Sequence, residues 1–263
     1  MKIYRFRHDG RTLYGVLEEE WLRPVRGSIF DDLELEPEAI PLAAVRVLAP
    51  AEPSKIVAVG RNYLDHAAER GATLPDEPLL FLKPSTAVIG PNEPIIAPPM
   101  SRRVDYEGEL ALVIRKRAAG LADDEPVEPY ILGYTCFNDV TARDLQDKDK
   151  QFTRAKSFDT FAAIGPCLAA GLDPSGLDIK TFLNGKLRQS SNTKHLIFPI
   201  PMLVRFISNI MTLLPGDVIT TGTPAGIGPM EPGDRVDVQI EGIGTLSNPV
   251  LRITKGASHE VLP

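Results

Sequence analysis

Apolar residues along this chain come mostly in short runs or in alternation, cut by Gly, Pro, Asn and Asp, a pattern that predicts many strands and few long helices. "KIYRFRH" and "TLYGVLE" flank Asp9 and Gly10, which predicts a hairpin with a tight turn, and "EWLRPV" adds a further strand. "DDLELEPEAIPLAAVRVLAP" reads as a polar helix or loop running into Pro50. The change of character near "APAEPSK" divides the chain into a small N-terminal domain, residues 1–52, and a main domain, residues 53–263. In the main domain "KIVAVG", "PLLFLKP", "GELALVI" and "PYILGYTCFND" read as strands, "NYLDHAAERG" as a short helix, and "VTARDLQDKDKQF" as the opening of another. Asn184 and Gly185 mark a second hairpin. "IPMLVRFISNIMTL" is the clearest amphipathic helix, with Leu203, Phe206, Ile207 and Ile210 at i, i+3, i+4 and i+7. The expected class is a β-rich mixed α+β protein.

Composition narrows the function. The 263 residues are 43% hydrophobic and 24% charged, which is ordinary for a globular chain. No apolar run approaches the ~18 residues that span a bilayer, and the charged start lacks a secretory signal, so no membrane is expected and the cytoplasm is the expected location. A net charge of −6 without a Lys/Arg stripe argues against nucleic acid and for a small-molecule partner. Cys136 and Cys167 stand far apart with no metal-type spacing, which suits two reduced, buried thiols.

The chemistry starts in "RVDYEGELALVIRK". In a strand Glu107, Glu109, Ala111 and Val113 share one face, and Leu110, Leu112 and Ile114 share the other. Asp105 has the parity of the two glutamates if the strand reaches it. Like charges ~4 Å apart repel by roughly 4 kcal/mol at an effective dielectric of 20, so clustered carboxylates need a proton or a cation between them. An edge strand facing water is the plain alternative. Asp139, at the end of an apolar strand, is either a helix N-cap or a third carboxylate for the set. Glu107, Glu109 and Asp139 together offer hard oxygen ligands, which suit Mg²⁺ or Mn²⁺, or Ca²⁺, rather than zinc.

Six blocks in order, "VGRNYLDHAAERG", "PLLFLKPSTAVIGP", "VDYEGELALVI", "GYTCFNDVTARDLQ", "RAKSFDTFAAIGP" and "TGTPAGIGPM", resemble the fumarylacetoacetate hydrolase family from about Lys55 to Ile253. Residues 1 to 50 resemble the small, variable N-terminal domain of its bacterial members. The resemblance implies mixed β-sheets rolled around a divalent-metal site, in a homodimer. It gives the ligand roles to Glu107, Glu109 and Asp139 and leaves Asp105 out.

The remaining candidates carry roles by the same resemblance. His66 and Glu69, three apart on one helix face, are a surface pair by spacing alone; the family makes them a dyad in which Glu69 orients His66 to activate water or move a proton. Lys156 would sit beside the metal and hold the acid. Lys83, which interrupts an apolar strand, would meet the substrate carboxylate. Arg143 and Gln146, one turn into a helix, would contact substrate or brace the ligands. Gly222 and Thr223 would offer a backbone N–H and a hydroxyl to the substrate; "TTGTPAGIGP" lacks the register of either nucleotide-binding glycine motif.

The implied activity is a reaction of 2-oxo or 2-hydroxy-enoic dicarboxylic acids through a metal-bound enolate. The small N-terminal domain and "KSFDTFAAIGP" resemble bacterial members that are 2-hydroxyhepta-2,4-diene-1,7-dioate isomerases or the linked 5-oxopent-3-ene-1,2,5-tricarboxylate decarboxylases, and the resemblance implies one of these activities. The His66/Glu69 spacing favours instead an acylpyruvate hydrolase or oxaloacetate decarboxylase, and a sugar-acid dehydratase belongs to the same superfamily. A non-catalytic, Ca²⁺-stabilised binding protein would use the same carboxylates.

Overall fold

A computed structural model describes residues 1–65 and 75–252. Its framework is a sheet of 13 strands, joined by sheets of five and three strands. The N-terminal strands Lys2–His8 and Arg11–Glu18 form the expected hairpin, with Asp9 and Gly10 at φ 48° and 74°. Trp21–Arg26 pairs with the second of them. Residues expected as polar helix or loop are different: Glu34–Leu35, Ile40–Pro41 and Arg46–Val47 are short strands around a single 3-10 turn. The acidic residues there lie at the surface, and backbone pairing to Trp21–Arg26 and Lys2–His8 replaces helical bonds. Lys2–His8 also pairs with Ala162–Ala169, so N-terminal and main portions share one continuous sheet.

In the centre of that sheet Gly108–Ile114 lies between Ile131–Asp139 and Val218–Thr220, and Lys55–Gly60 and Leu79–Pro84 extend it to the edge. Both faces of Gly108–Ile114 are buried. Leu110, Leu112 and Ile114 enter one apolar cluster and Ala111 and Val113 another, as strand parity predicts. The hairpin at Asn184–Gly185 forms with φ 52° and 73° and links Asp178–Leu183 to Lys186–Asn192. The amphipathic helix is Ile200–Ile210, but its stripe sits one position set earlier than expected. Ile200, Leu203, Val204 and Ile207 are buried, whereas Phe206 is half-buried and Ile210 is exposed. The two stripes share Leu203 and Ile207, so apolar periodicity alone does not choose between them.

Cys136 and Cys167 are buried free thiols, and burial pushes both thiol pKa values up. Among the described residues no helix is long and apolar enough to cross a membrane.

Candidate active site

The chain changes sheets at Glu107. Val104–Tyr106 belongs to the three-stranded sheet, while Gly108–Ile114 belongs to the large one. Gly108 makes this passage feasible, because a Cβ there would lie 2.1 Å from Thr181 Oγ1. Antiparallel register then assembles the carboxylates. Glu109 faces Phe137 and Gly108 faces Asn138, so the next step along brings Asp139 to Glu107, and the Asp139 N–H donates to the Glu107 carbonyl at 2.9 Å. Glu107, Glu109 and Asp139 each place a carboxylate oxygen within 4.8 Å of the other two, and all three side chains are buried.

Three cations hold this group. Lys156, closing the short helix Thr153–Lys156, places Nζ 2.9 Å from Glu107 Oε2 and 2.5 Å from Asp139 Oδ2. Burial lowers the Lys156 pKa, but the Asp139 and Glu107 carboxylates outweigh it and hold the ammonium above its ordinary value. Lys83 is fully buried and binds the other Asp139 oxygen, Oδ1, at 2.5 Å and the Val140 carbonyl at 3.3 Å. There burial wins, and its pKa is lowered despite Asp139. Arg143 opens the helix Arg143–Asp149 and spans Asp105 at 3.0 Å, Glu107, and Gln146 Oε1 at 2.5 Å. Burial works against its charge, while Glu107 and Asp105 raise its pKa above the usual guanidinium range.

Asp105 is buried as well, but Arg103 and Arg143 bind it, and it stands outside the carboxylate triad. The N-cap reading of Asp139 is displaced: the helix starts from Ala142 with no side-chain cap. Glu109 is the odd member. Among the described residues no cation pairs with it, and the Gly222 N–H donates to its Oε2 at 2.9 Å. Burial first, then Asp139 and Glu107, push its carboxyl well above the usual carboxylate range. Burial and two like charges thus favour a proton on Glu109, and a cation placed among the three carboxylates is what would restore its charge. The donor set, all carboxylate oxygen, fits a hard divalent ion held by Glu107, Glu109 and Asp139.

The triad opens into a cavity of about 270 Å³ whose walls include Phe81, Gln146, Phe152 and Thr223. Phe81 and Phe152 meet edge to face at 5.2 Å, and Lys156 Nζ lies 5.1 Å from the Phe81 ring centre. Three residues expected on the substrate side have protein partners in this structure. Lys83 is absent from the lining, and its ammonium is held by Asp139 and the Val140 carbonyl. Gly222, at φ 94° and with no room for a Cβ beside Asn62, turns its N–H to Glu109 rather than into a nest. Thr223 does line the cavity, yet its hydroxyl donates to the Gly108 carbonyl at 2.9 Å and accepts from Gln189 Nε2 at 2.8 Å.

Gln189 was not among the expected residues. It is buried and accepts from the Gly108 N–H at 3.0 Å, so one amide ties the strand between the two glutamates to the Thr223 loop. A polar residue in a strand after a turn carries no signal of this in sequence. Asn62 acts similarly, donating to the Phe198 and Thr221 carbonyls and accepting from the Phe198 N–H. His66 and Glu69 lie outside the described residues.

A buried carboxylate triad at the junction of mixed sheets, braced by two lysines and an arginine, defines a candidate hard-metal enzyme site. Residues 55–251 match the fumarylacetoacetate (FAA) hydrolase C-terminal family, and residues 1–50 match the Rv2993c-like, N-terminal family. The chain belongs to the fumarylacetoacetate hydrolase family and is an enzyme, which retires the reading as a non-catalytic binding protein. It is 56% identical to an uncharacterized protein of Archaeoglobus fulgidus, over 95% of this chain and 96% of that one. It is 40% identical to the mitochondrial oxaloacetate tautomerase FAHD2B of Bos taurus, over 92% of this chain and 80% of that one. A solved 2-hydroxyhepta-2,4-diene-1,7-dioate isomerase from Mycobacterium marinum superposes with a TM-score of 0.90 at 42% identity, covering 98% of this chain and 100% of that chain. A maleylpyruvate hydrolase from Sphingobium sp. SYK-6, solved with manganese (II) and pyruvate, gives a TM-score of 0.81 at 29% identity, covering 97% and 100%.

Proposed function

We propose that this enzyme uses a divalent cation, Mg²⁺ or Mn²⁺, to shift protons on 2-oxo or 2-hydroxy-enoic dicarboxylic acids, as a double-bond isomerase or tautomerase. The observation that carries the reading is the buried triad of Glu107, Glu109 and Asp139 within one cavity, with Glu109 lacking a cationic partner among the described residues. A bound divalent ion would supply Lewis-acid stabilisation of negative charge building on the 2-oxo oxygen.

The chain's own residues do the rest. Lys156, kept protonated by Glu107 and Asp139 and facing the cavity, adds a fixed positive charge where an acid head group would lie. Arg143 holds Glu107 and Gln146 in one arrangement, so neither must reorganise as substrate arrives. Lys83 anchors Asp139. Phe81 and Phe152 keep water off an unsaturated chain. His66, oriented by Glu69, is proposed to carry the proton between carbons; isomerisation returns it to the same molecule, so no other reactant is consumed. The names of an isomerase and a tautomerase among the relatives favour proton transfer over C–C cleavage. A second reading, hydrolysis of an acylpyruvate, rests on the named maleylpyruvate hydrolase. A homodimer in the cytoplasm is part of the same proposal, checked by light scattering coupled to size exclusion.

The deciding experiment incubates the protein and Mg²⁺ with 2-hydroxyhepta-2,4-diene-1,7-dioate, oxaloacetate and acetylpyruvate, and follows each by NMR. Double-bond shift or tautomer exchange that stops in EDTA supports the proposal. Cleavage of acetylpyruvate moves it to the second reading, and no change in any of the three removes both.

A further inference from the structure

The cavity has a second pole of charge that the triad does not explain. Arg61 and Lys150 both line it, and both are exposed. Among the described residues neither side chain has an ion-pair or hydrogen-bond partner. The buried cations differ, since Lys156 and Arg143 are held by Glu107, Asp139 and Asp105. Among the described residues the one other exposed charge on the lining is Asp147, which has a partner of its own. Two free cations against one engaged carboxylate leave the described part of the rim positive.

The backbone adds a second observation. Arg61 and Lys150 stand at φ 57° and 60°, in the left-handed region that glycine enters more easily. Lys150 ends the helix Arg143–Asp149 at the position where helices favour glycine. Each long cation thus occupies a site where local backbone preference points to a different residue. The cavity, taken as a whole, offers carboxylates for a cation and an acid head, the Phe81/Phe152 pair for an apolar chain, and unengaged positive charge at its open side.

Resting on the proposed function, we propose that Arg61 and Lys150 receive the distal carboxylate of the substrate and select dicarboxylic over monocarboxylic 2-oxo acids. Each supplies a charge-assisted hydrogen bond that a terminal methyl group cannot accept. Because the contact lies away from the reacting atoms, it strengthens ground state and transition state alike and acts on KM.

Calorimetric titration of the Mg²⁺-loaded protein with 2-oxoadipate and 2-oxohexanoate tests this without requiring turnover, because the two acids differ only at the far end. The wild type is expected to bind 2-oxoadipate about tenfold or more tightly than 2-oxohexanoate, or ~1.4 kcal/mol per factor of ten. Lys150→Gly and Arg61→Gly keep the left-handed backbone and remove the charge; each should lower that ratio about fivefold or more. Lys150→Glu should lower it further, and Lys148→Ala, on the same helix but outside the cavity, should keep it. Equal affinity for the two acids in the wild type, or an unchanged ratio in Lys150→Gly and Lys150→Glu, overturns the inference. Preference for 2-oxoadipate with no turnover of any acid in the NMR panel supports it while removing the proposed isomerase.

Discussion

Glu109 differs from Glu107 and Asp139 only in its company. Lys156, Arg143 and Lys83 make direct ion pairs with those two, whereas Glu109 has the Gly222 N–H, two like charges nearby and only an unpaired attraction to Lys156. Without metal a neutral side chain is favoured there, so a neutral isostere should cost the metal-free protein little or relieve it. Glu109→Gln is expected to melt at an equal or higher temperature than the wild type without metal, while the stabilisation by added Mg²⁺ and at least ~100-fold of the turnover disappear. Calorimetric melting with and without Mg²⁺ checks both halves, and a variant that still gains stability from Mg²⁺ would take Glu109 out of the ligand set. The alternation of Glu107 and Glu109 was readable from residue spacing, and so was the parity of Asp105. What parity cannot show is that the chain leaves one sheet for another at Glu107, which hands Asp105 to Arg103 and Arg143.

Between elements, one buried carboxylate fixes the parallel pair behind the site. Asp217 immediately precedes Val218–Thr220, which pairs with Lys55–Gly60. It accepts from Ser54 Oγ at 2.6 Å, the Leu214 N–H at 2.8 Å and the Lys55 N–H at 3.2 Å, and it pairs with the Lys55 ammonium. Burial raises its pKa, but the bonds from Lys55, Ser54 and the Leu214 N–H overcome that and hold it below the usual value. A carboxyl with a depressed folded pKa contributes its full stability above the unfolded value and loses it as pH falls through the folded one. Asp217→Asn should cost about 2 kcal/mol at pH 7, and the gap to wild type should close as pH drops below ~4. Urea melts at several pH values measure it; a gap that widens in acid contradicts the assignment. Hairpins at Asp9–Gly10 and Asn184–Gly185 were legible because a two-residue turn is a local matter. The stripe of Ile200–Ile210 and the short strands of residues 34–47 were not, because a helix face and a strand edge take their partners from distant segments.

For the molecule as a whole, metal and fold should be coupled. Of the three carboxylates, Glu107 directly precedes the strand Gly108–Ile114, Glu109 lies in it and Asp139 ends its partner Ile131–Asp139, and their braces come from a third strand and two helices. A cation there would bind the folded chain and not the unfolded one, so saturating Mg²⁺ at about 100 times its Kd should add ~2.7 kcal/mol, and EDTA should remove it together with turnover. Differential scanning calorimetry across a Mg²⁺ series checks the slope; a melting temperature indifferent to Mg²⁺, Mn²⁺ and EDTA would contradict a metal in the triad. The sequence by itself determined the β-rich class, the main strands, both hairpins, the family and the hard-oxygen character of the site, since these follow from spacing and residue type along the chain. Only the tertiary structure decided that Lys83 pairs with Asp139, that Gly222 serves Glu109, that Gln189 ties Gly108 to Thr223, and that Arg61 and Lys150 share one cavity. These are contacts between residues far apart in sequence, and their geometry comes from strand register and sheet crossing, which no local pattern encodes.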